Sequence, residues 1–306
     1  MLFGFLNLHK PAGMTSHDCI GKVRRLLSMK KVGHGGTLDP SATGVLPIAL
    51  GRATRLLTYL PSDKVYRAVI RLGMTTTTDD LAGDVIETTE AGHITQAMLE
   101  SALTHFQGPL QQIPPAYSAI QVDGKRLYDL ARQGKPVPVK PRSVEVYDLK
   151  LLDWRPMGEW PEAEVEIACG AGTYIRSIAR DLGVMLQVGG TLAQLSRTRS
   201  GGFSLVDSLT FAALETQLEQ QQFRPIPPDV GLQILPTLTL TADLAQRFVW
   251  GQKLPIETHS GYLQVHHETE GFLGIGKYED GHLKAKVVSA GATPTRNASN
   301  AEGTEG

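Results

Sequence analysis

Strict alternation of apolar and polar positions predicts a β-strand over residues 64–72. Tyr66, Ala68, Ile70 and Leu72 fall on one face, and Val65, Arg67, Val69 and Arg71 on the other. Shorter runs predict strands over 3–9 and 163–169, the latter with Val165, Ile167 and Cys169 on one face.

Apolar residues at helical spacing predict three helices in the first two thirds of the chain. The first follows Ser16, an expected N-cap, and carries Ile20, Val23, Leu26 and Leu27. Thr95 opens a second helix over 95–106. A third covers 174–188 with a stripe of Tyr174, Ile178, Leu182 and Met185, and Thr173 is its expected N-cap.

Proline and glycine residues indicate the loops and a domain boundary. Residues 33–47 hold four glycines and two prolines, which predicts a loop with unusual backbone angles. Prolines cluster over 222–236, where we place a domain boundary. A helix over 241–250 and short strands then predict a small β-rich module, and the tail from about 290 is expected to be disordered.

Composition narrows the class of protein. The 306 residues are 41% hydrophobic and 20% charged, which is typical of a globular protein. Only Cys19 and Cys169 are present, which excludes a disulfide scaffold and an all-cysteine zinc site. No membrane or targeting segment is apparent, so a cytoplasmic location is expected.

The segment Gly33–Gly44 is the first candidate for chemistry. Its glycines could hold His34 and Asp39 at the mouth of a cleft, but Asp39-Pro40 could equally begin an ordinary turn. Neither a dinucleotide fingerprint nor a phosphate-loop motif fits it. The nearest phosphate-loop match, Gly271–Lys277, is followed by Tyr278 instead of Ser or Thr and favours a β-turn.

Arg176 is the second candidate, because a cation in the first turn of a helix opposes the helix dipole. A carboxylate or phosphate beside it would offset that cost, whereas a solvated Arg176 would need no partner. Arg180, one turn on, could extend a basic stripe.

Residues 112–128 combine two prolines, an Asp-Gly turn, Lys125, Arg126 and two tyrosines. That composition suits nucleic acid, although an ordinary surface hairpin is equally compatible. The adjacent His266 and His267 point to opposite faces of a strand and are poor joint metal ligands.

Six segments together resemble the TruB family of tRNA pseudouridine-55 synthases, in the family's order and spacing. They are KPAGMTS (10–16), GHGGTLDPSATGVLPIALGRATR (33–55), KVYRAVIRLG (64–73), QIPPAYSAIQVDGKRLYDLARQG (112–134), CGAGTYIRSIARDLG (169–183) and LSRTRSGGF (195–203). The weaker C-terminal match resembles the reduced PUA-like module of bacterial members.

The resemblance implies an α+β fold with a mixed, largely antiparallel sheet flanked by helices. It implies a catalytic domain over 1–230 with an RNA-binding insert at about 112–145 and a PUA-like domain over 231–289, while composition predicts the disordered tail over 290–306. It also implies the reaction: the N1–C1′ bond of a T-loop uridine in tRNA breaks, the uracil rotates, and C5 joins C1′. No cofactor and no metal are expected.

By the resemblance, Asp39 is the catalytic aspartate, Arg176 pairs with it, and Tyr66 stacks on the target base. Whether Asp39 acts on the base, on the sugar or in forming a glycal stays open. Leu195 packs in the active site, and His34 enters the T-loop stack when the base is flipped out. Supporting and RNA-binding roles fall to Lys10, Pro11, Lys125, Arg126, Arg132 and Arg180.

The expected partner is the T-stem-loop of tRNA, with no membrane, guide RNA or obligate protein partner, and the protein is expected to be a monomer. Two other hypotheses remain: an RNA-binding protein without catalysis, and a guide-dependent enzyme with partner proteins. Gln121 departs from the family, which usually has Lys there, and the C-terminal module is divergent.

The net charge of −1 conceals an uneven distribution. Residues 10–55, 121–142 and 170–200 carry +6, +4 and +3, which leaves −14 for the remainder. These are the stretches that carry the family motifs, so we expect a basic face able to attract RNA.

Overall fold

The computed structural model describes residues 2–117 and 140–289, and residues 121–122 and 125–126 as backbone. The predicted tail over 290–306 lies outside the described residues. The strands are β1 (Gly4–Lys10), β2 (Val32–His34), β3 (Thr43–Leu50), β4 (Lys64–Leu72), β5 (Met74–Thr76), β6 (Val85–Thr88), β7 (Gly108–Gln112), β8 (Gln121–Val122), β9 (Lys125–Arg126), β10 (Arg142–Arg155), β11 (Glu162–Cys169), β12 (Gly190–Ser200), β13 (Phe203–Ser204), β14 (Thr237–Leu240), β15 (Gly261–His267), β16 (Gly271–Glu279) and β17 (His282–Val288).

Helices connect and cover these strands. They are α1 (Ser16–Leu26), α2 (Gln96–Leu103), α3 (Ile175–Met185), α4 (Phe211–Glu219), α5 (Pro228–Gly231) and α6 (Ala242–Val249). Short 3-10 turns cover 51–55, 57–59, 104–106 and 205–207. No helix among the described residues is long and apolar enough to cross a membrane.

The large sheet runs in the order β1-β3-β12-β4-β11-β10-β7, with β2 beside β3 and β13 beside β12. Only the β3–β12 pairing is parallel, and it is short. Gly44 stands opposite Arg197 there, with a φ of +104°, and a side chain at this position would collide with the Arg197 backbone. The expected mixed, largely antiparallel α+β fold is confirmed.

Apolar faces of the sheet bury against helices on both sides. Tyr66, Ala68, Ile70 and Leu72 of β4 form one face and pack into a core with α2 and α3, as the alternation predicts. A second core lies between β1, β3 and the helices α1 and α4. The strands β14-β15-β16-β17 form a separate small sheet with α6 over its own core. The sequence missed β14, which precedes the predicted helix.

Two predicted N-caps are wrong. Thr15, not Ser16, caps α1: its side chain accepts from the Asp18 amide, and Asp18 accepts in return from the Thr15 amide. Thr173 does not cap α3, because its hydroxyl donates to the Gly170 carbonyl at 3.0 Å and the cap position is Tyr174. The predicted loop over 33–47 is also shorter, since β2 and β3 take both of its ends.

Candidate active site

Asp39 lies in the segment between β2 and β3. Buried polar side chains form hydrogen bonds to the backbone of that segment. The fully buried Lys10 donates to the carbonyls of Pro11, Pro40 and Ala42, so its ammonium ties together both sides of the turn. The Leu38 amide donates to the buried Ser16 hydroxyl at 2.9 Å. Ser16 thus anchors the loop instead of capping the helix.

Arg197 supports the same loop from β12. Its guanidinium is fully buried and donates to the carbonyls of Gly36, Thr37 and Val45 at 3.1, 3.4 and 2.8 Å. The planar fork matches such a divergent set of acceptors, which a lysine could not reach together. Sequence reasoning missed Arg197, although its position two residues after Leu195 puts both side chains on one face of a strand.

Arg176 contacts the carboxylate of Asp39. The anion expected beside this cation in the first turn of the helix is therefore Asp39. Its Nε lies 3.0 Å from Asp39 Oδ2 and 3.9 Å from Asp80 Oδ2. Its two terminal nitrogens donate to the carbonyls of Thr78 and Tyr117. Arg176 is 6% exposed, whereas the Asp39 side chain is 38% exposed, so the carboxylate forms the open side of the pair. Asp80 was not found from the sequence.

Gln112, at the end of β7, replaces the missing side-chain cap of α3. The Tyr174 amide donates to its Oε1 at 3.0 Å, and its Nε2 donates to the Tyr174 carbonyl at 3.2 Å. Ser177 and Arg180 both donate to the Ile113 carbonyl at 2.9 Å. The start of α3 is therefore fastened to the first residues of the predicted insert.

A cavity of about 340 Å³ opens in front of the Asp39–Arg176 pair. Its lining includes Tyr66, Lys64 and Leu195, together with Gly170, Gly172 and Thr173. A smaller cavity of about 240 Å³ lies on the other side of Asp39 and Leu195, bounded by Asp80. The structure thus brings together Asp39, Tyr66, Arg176 and Leu195, which are far apart in the sequence.

Burial dominates the electrostatics of the site. It raises the pKa of Asp39 above its usual range, while the Arg176 charge opposes that rise. It also raises the pKa of the Tyr66 phenol, against the opposing charge of Arg197, so Tyr66 is a neutral phenol at physiological pH. The site therefore presents a carboxylate whose ionised form depends on its arginine.

The other predicted residues lie farther out. His34 is half-buried on β2 and does not line the cavity; within the described residues its Nδ1 has no hydrogen-bond partner, and burial lowers its pKa. Arg180 is paired with Asp79 and Asp181, each at 2.9 Å, so it does not present an open basic stripe. The side chains of Lys125 and Arg126, and all of Arg132, lie outside the described residues.

Comparison with known proteins agrees with this geometry. Residues 24–175 match the model of the TruB family pseudouridylate synthase N-terminal domain, and 236–288 match that of the pseudouridine synthase II TruB C-terminal domain. No cluster of three or more His, Cys, Asp or Glu able to hold a metal occurs in the described part of the chain.

Relatives match over nearly the whole length. The tRNA pseudouridine synthase B of Acaryochloris marina is 61% identical over 94% of this chain and 99% of its own. The protein of the same name from Trichormus variabilis is 54% identical over 93% of this chain and 98% of its own. Among solved structures, one chain of a Cbf5-Nop10-Gar1 complex matches with a TM-score of 0.71 and 25% identity. The match covers 94% of this chain and 84% of the chain in that complex.

Fold, site and matches together define a pseudouridine synthase. Within that class, the chain belongs to the TruB family.

Proposed function

We propose that this protein isomerises uridine 55 in the T-loop of tRNA to pseudouridine. The N1–C1′ bond breaks, the uracil rotates, the C5–C1′ bond forms, and the C5 proton is lost while N1 gains one. The observation that carries the proposal is the Asp39–Arg176 ion pair at 3.0 Å, facing a cavity that Tyr66 also lines. The names of the near full-length relatives supply the substrate.

Asp39 supplies the reactive carboxylate, and Arg176 holds it in place and in its ionised form. Tyr66 offers the flipped uracil a flat apolar ring at the cavity wall, and its raised pKa favours stacking and proton donation over service as a phenolate. The reacting carbons of a folded T-loop are inaccessible, so the target base must leave its stack to reach this cavity.

The remaining residues serve positioning and RNA binding. Lys10 and Pro11 hold the Asp39 turn, Leu195 packs beside the carboxylate, and His34 stands outside the cavity, where it meets the T-loop once the base has left it. The basic side chains of the insert, Lys125, Arg126 and Arg132, meet the RNA backbone. Arg180 holds the start of the insert instead, through the Ile113 carbonyl, while its charge is paired with Asp79 and Asp181.

The division of the chain that we propose is a catalytic domain over 1–230 with an insert at about 112–145, a PUA-like domain over 231–289 and a tail over 290–306. The C-terminal family match begins at 236, in support of that boundary. The protein acts in the cytoplasm as a monomer, without guide RNA or protein partners.

The Asp39→Asn variant tests the proposal. Pseudouridine is mapped in unmodified tRNA after incubation with the wild-type protein, and we expect it at position 55. Asp39→Asn should form none while binding the tRNA with wild-type affinity, because the amide keeps the shape of the side chain without its charge. Turnover by Asp39→Asn at the wild-type rate, or wild-type modification elsewhere only, contradicts the proposal.

Arg176→Ala separates the ion pair from the carboxylate itself. Without the guanidinium, burial alone acts on Asp39 and its pKa rises further. We expect the single-turnover rate to fall at neutral pH and to recover partly as the pH is raised. An unchanged rate, or a loss independent of pH, refutes the role of Arg176 in ionising Asp39.

A further inference from the structure

Lys64 is a cation at the cavity with hydrogen-bonding capacity to spare. Among the described residues, three other cations lie at or beneath the cavity and are committed: Arg176 to Asp39 and two carbonyls, Arg197 to three carbonyls, and Lys10 to three carbonyls. Lys64 Nζ donates to the Ser62 carbonyl at 2.7 Å. Because an ammonium has three donors, two remain for a ligand.

The carboxylate next to Lys64 in the chain does not neutralise it. Asp63 Oδ1 accepts from the Tyr147 hydroxyl at 3.0 Å and from the Ser62 hydroxyl at 3.3 Å. Among the described residues, no carboxylate lies within 4.0 Å of Lys64 Nζ. Lys64 is therefore a cation of this cavity without an ion-pair partner among the described residues.

The position of Lys64 relates that charge to the substrate. Lys64 and Tyr66 are two residues apart on β4, so their side chains point to the same face, and both line the cavity with Asp39. The stem of Lys64 passes close to Gly36: a Cβ on that glycine would lie 3.7 Å from Lys64 Cε. A uridine seated on Tyr66 carries a phosphodiester on each side, so anionic groups enter together with the base at the cavity that Lys64 lines.

Burial disfavours the charged lysine while the cavity is without an anion. It lowers the pKa of Lys64, and the nearby Arg197 charge lowers it further. An anion in contact with the ammonium would reverse that effect, as charge-assisted hydrogen bonds to phosphate do.

We propose that Lys64 binds one of the two phosphodiesters flanking the target uridine and so seats the flipped nucleotide over Tyr66. The proposal rests on the proposed function, since it takes the substrate to be that uridine. Lys64 is a substrate-binding residue here and takes no part in making or breaking the glycosidic bond.

The test pairs a protein variant with an RNA variant. T-stem-loop RNAs are made with a neutral methylphosphonate at the linkage 5′ or 3′ of the target uridine, and binding is measured in the Asp39→Asn background with Lys64 or with Lys64→Gln. We expect Lys64→Gln to weaken binding about tenfold and to reduce the slope of log affinity against log salt by about one. One methylphosphonate should cause the same loss with Lys64 and no further loss with Lys64→Gln.

Controls keep the outcomes distinct. Lys64→Arg should bind like the wild type, and Lys150→Gln, which removes an exposed cation paired with Asp148, should leave affinity unchanged. Thermal unfolding checks that Lys64→Gln is folded. Losses that add for both linkages, or a salt slope unaffected by Lys64→Gln, overturn the proposal. The binding result is independent of turnover, so a failure of the proposed function shows instead as wild-type protein that forms no pseudouridine.

Discussion

Two hydrogen bonds join Gln112, in the insert, to Tyr174, at the start of α3. We predict that the reaction rate depends on them. Gln112 is 3% exposed and contributes both an acceptor and a donor to the backbone of Tyr174, the N-cap residue of α3. Arg176 follows two residues later and holds Asp39. Gln112→Leu keeps the approximate volume and removes both bonds, so it should loosen the first turn of the helix and move the guanidinium.

The size of the effect follows from the bonds lost. Two neutral hydrogen bonds contribute about 1 kcal/mol each, and a buried amide left without a partner costs about 1–3 kcal/mol. The lost bond to the carbonyl accounts for about 1 kcal/mol and the unpaired amide for about 1–3 kcal/mol, so we expect Gln112→Leu to lower the free energy of unfolding by about 2–4 kcal/mol. A misplacement of about 1 Å at a reacting group can cost about 100-fold in rate, so the single-turnover rate should fall between about 10- and 100-fold.

The assay is release of tritium from C5 of the labelled target uridine under single-turnover conditions, with RNA affinity measured separately. Affinity should change little, because Gln112 is buried beneath the site. Gln107→Leu is the matched control: Gln107 donates one bond, to the Leu149 carbonyl at 3.0 Å, away from Asp39. The free energy of unfolding of Gln107→Leu should fall, while its single-turnover rate should equal that of the wild type. Equal rates for the two variants would refute the positioning role of Gln112.

Three further predictions concern buried polar groups. Arg197→Lys keeps the charge but loses the fork over three carbonyls, so the single-turnover rate and Tm should both fall; an unchanged rate contradicts its support of the Asp39 loop. The pKa of Asp39 is raised on folding, so its ionised form destabilises the native state above that pKa and the penalty disappears as pH falls through it. Asp39→Asn should accordingly have a Tm at pH 7 no lower than the wild type, and a clearly lower Tm contradicts this. Burial raises the pKa of Cys169 to about 11 and that of Cys19 in the same direction, so neither should react with iodoacetamide at pH 7.5 in native protein, as read by mass spectrometry; rapid labelling would show that the core opens.

Local pattern predicted the elements well where one face of the element is buried. The alternation on β4 and the helical stripe on α3 placed both elements within a few residues of their observed bounds. The caps were predicted less well. Ser16 and Thr173 are good capping residues by type, but their hydroxyls bond Leu38 and Gly170 instead. A side chain that can cap is also able to bond any nearby carbonyl, and only the folded chain decides between them.

In the candidate site, too, some residues could be predicted from local pattern and others only from the folded chain. The need of Arg176 for an anion follows from its place in the first turn of a helix, and Asp39 was named through its motif. Arg197, Gln112 and Lys64 could not be found by those means. Their importance lies in what surrounds them: three converging carbonyls, an uncapped helix start and the rim of a cavity, each of which includes residues distant in the chain.

By itself, the sequence determined the family, the alternation that buries one face of the main sheet, and the residue types able to carry out the chemistry. These depend on side-chain identity and on spacing within a few residues, which the chain states directly. Only the tertiary structure decided which charges are neutralised, because Arg180 is paired with Asp79 while Lys64 meets no carboxylate among the described residues. The physical reason is that burial and pairing depend on distances between segments a hundred or more residues apart, such as the 101 positions between Asp79 and Arg180 and the 161 between Gly36 and Arg197.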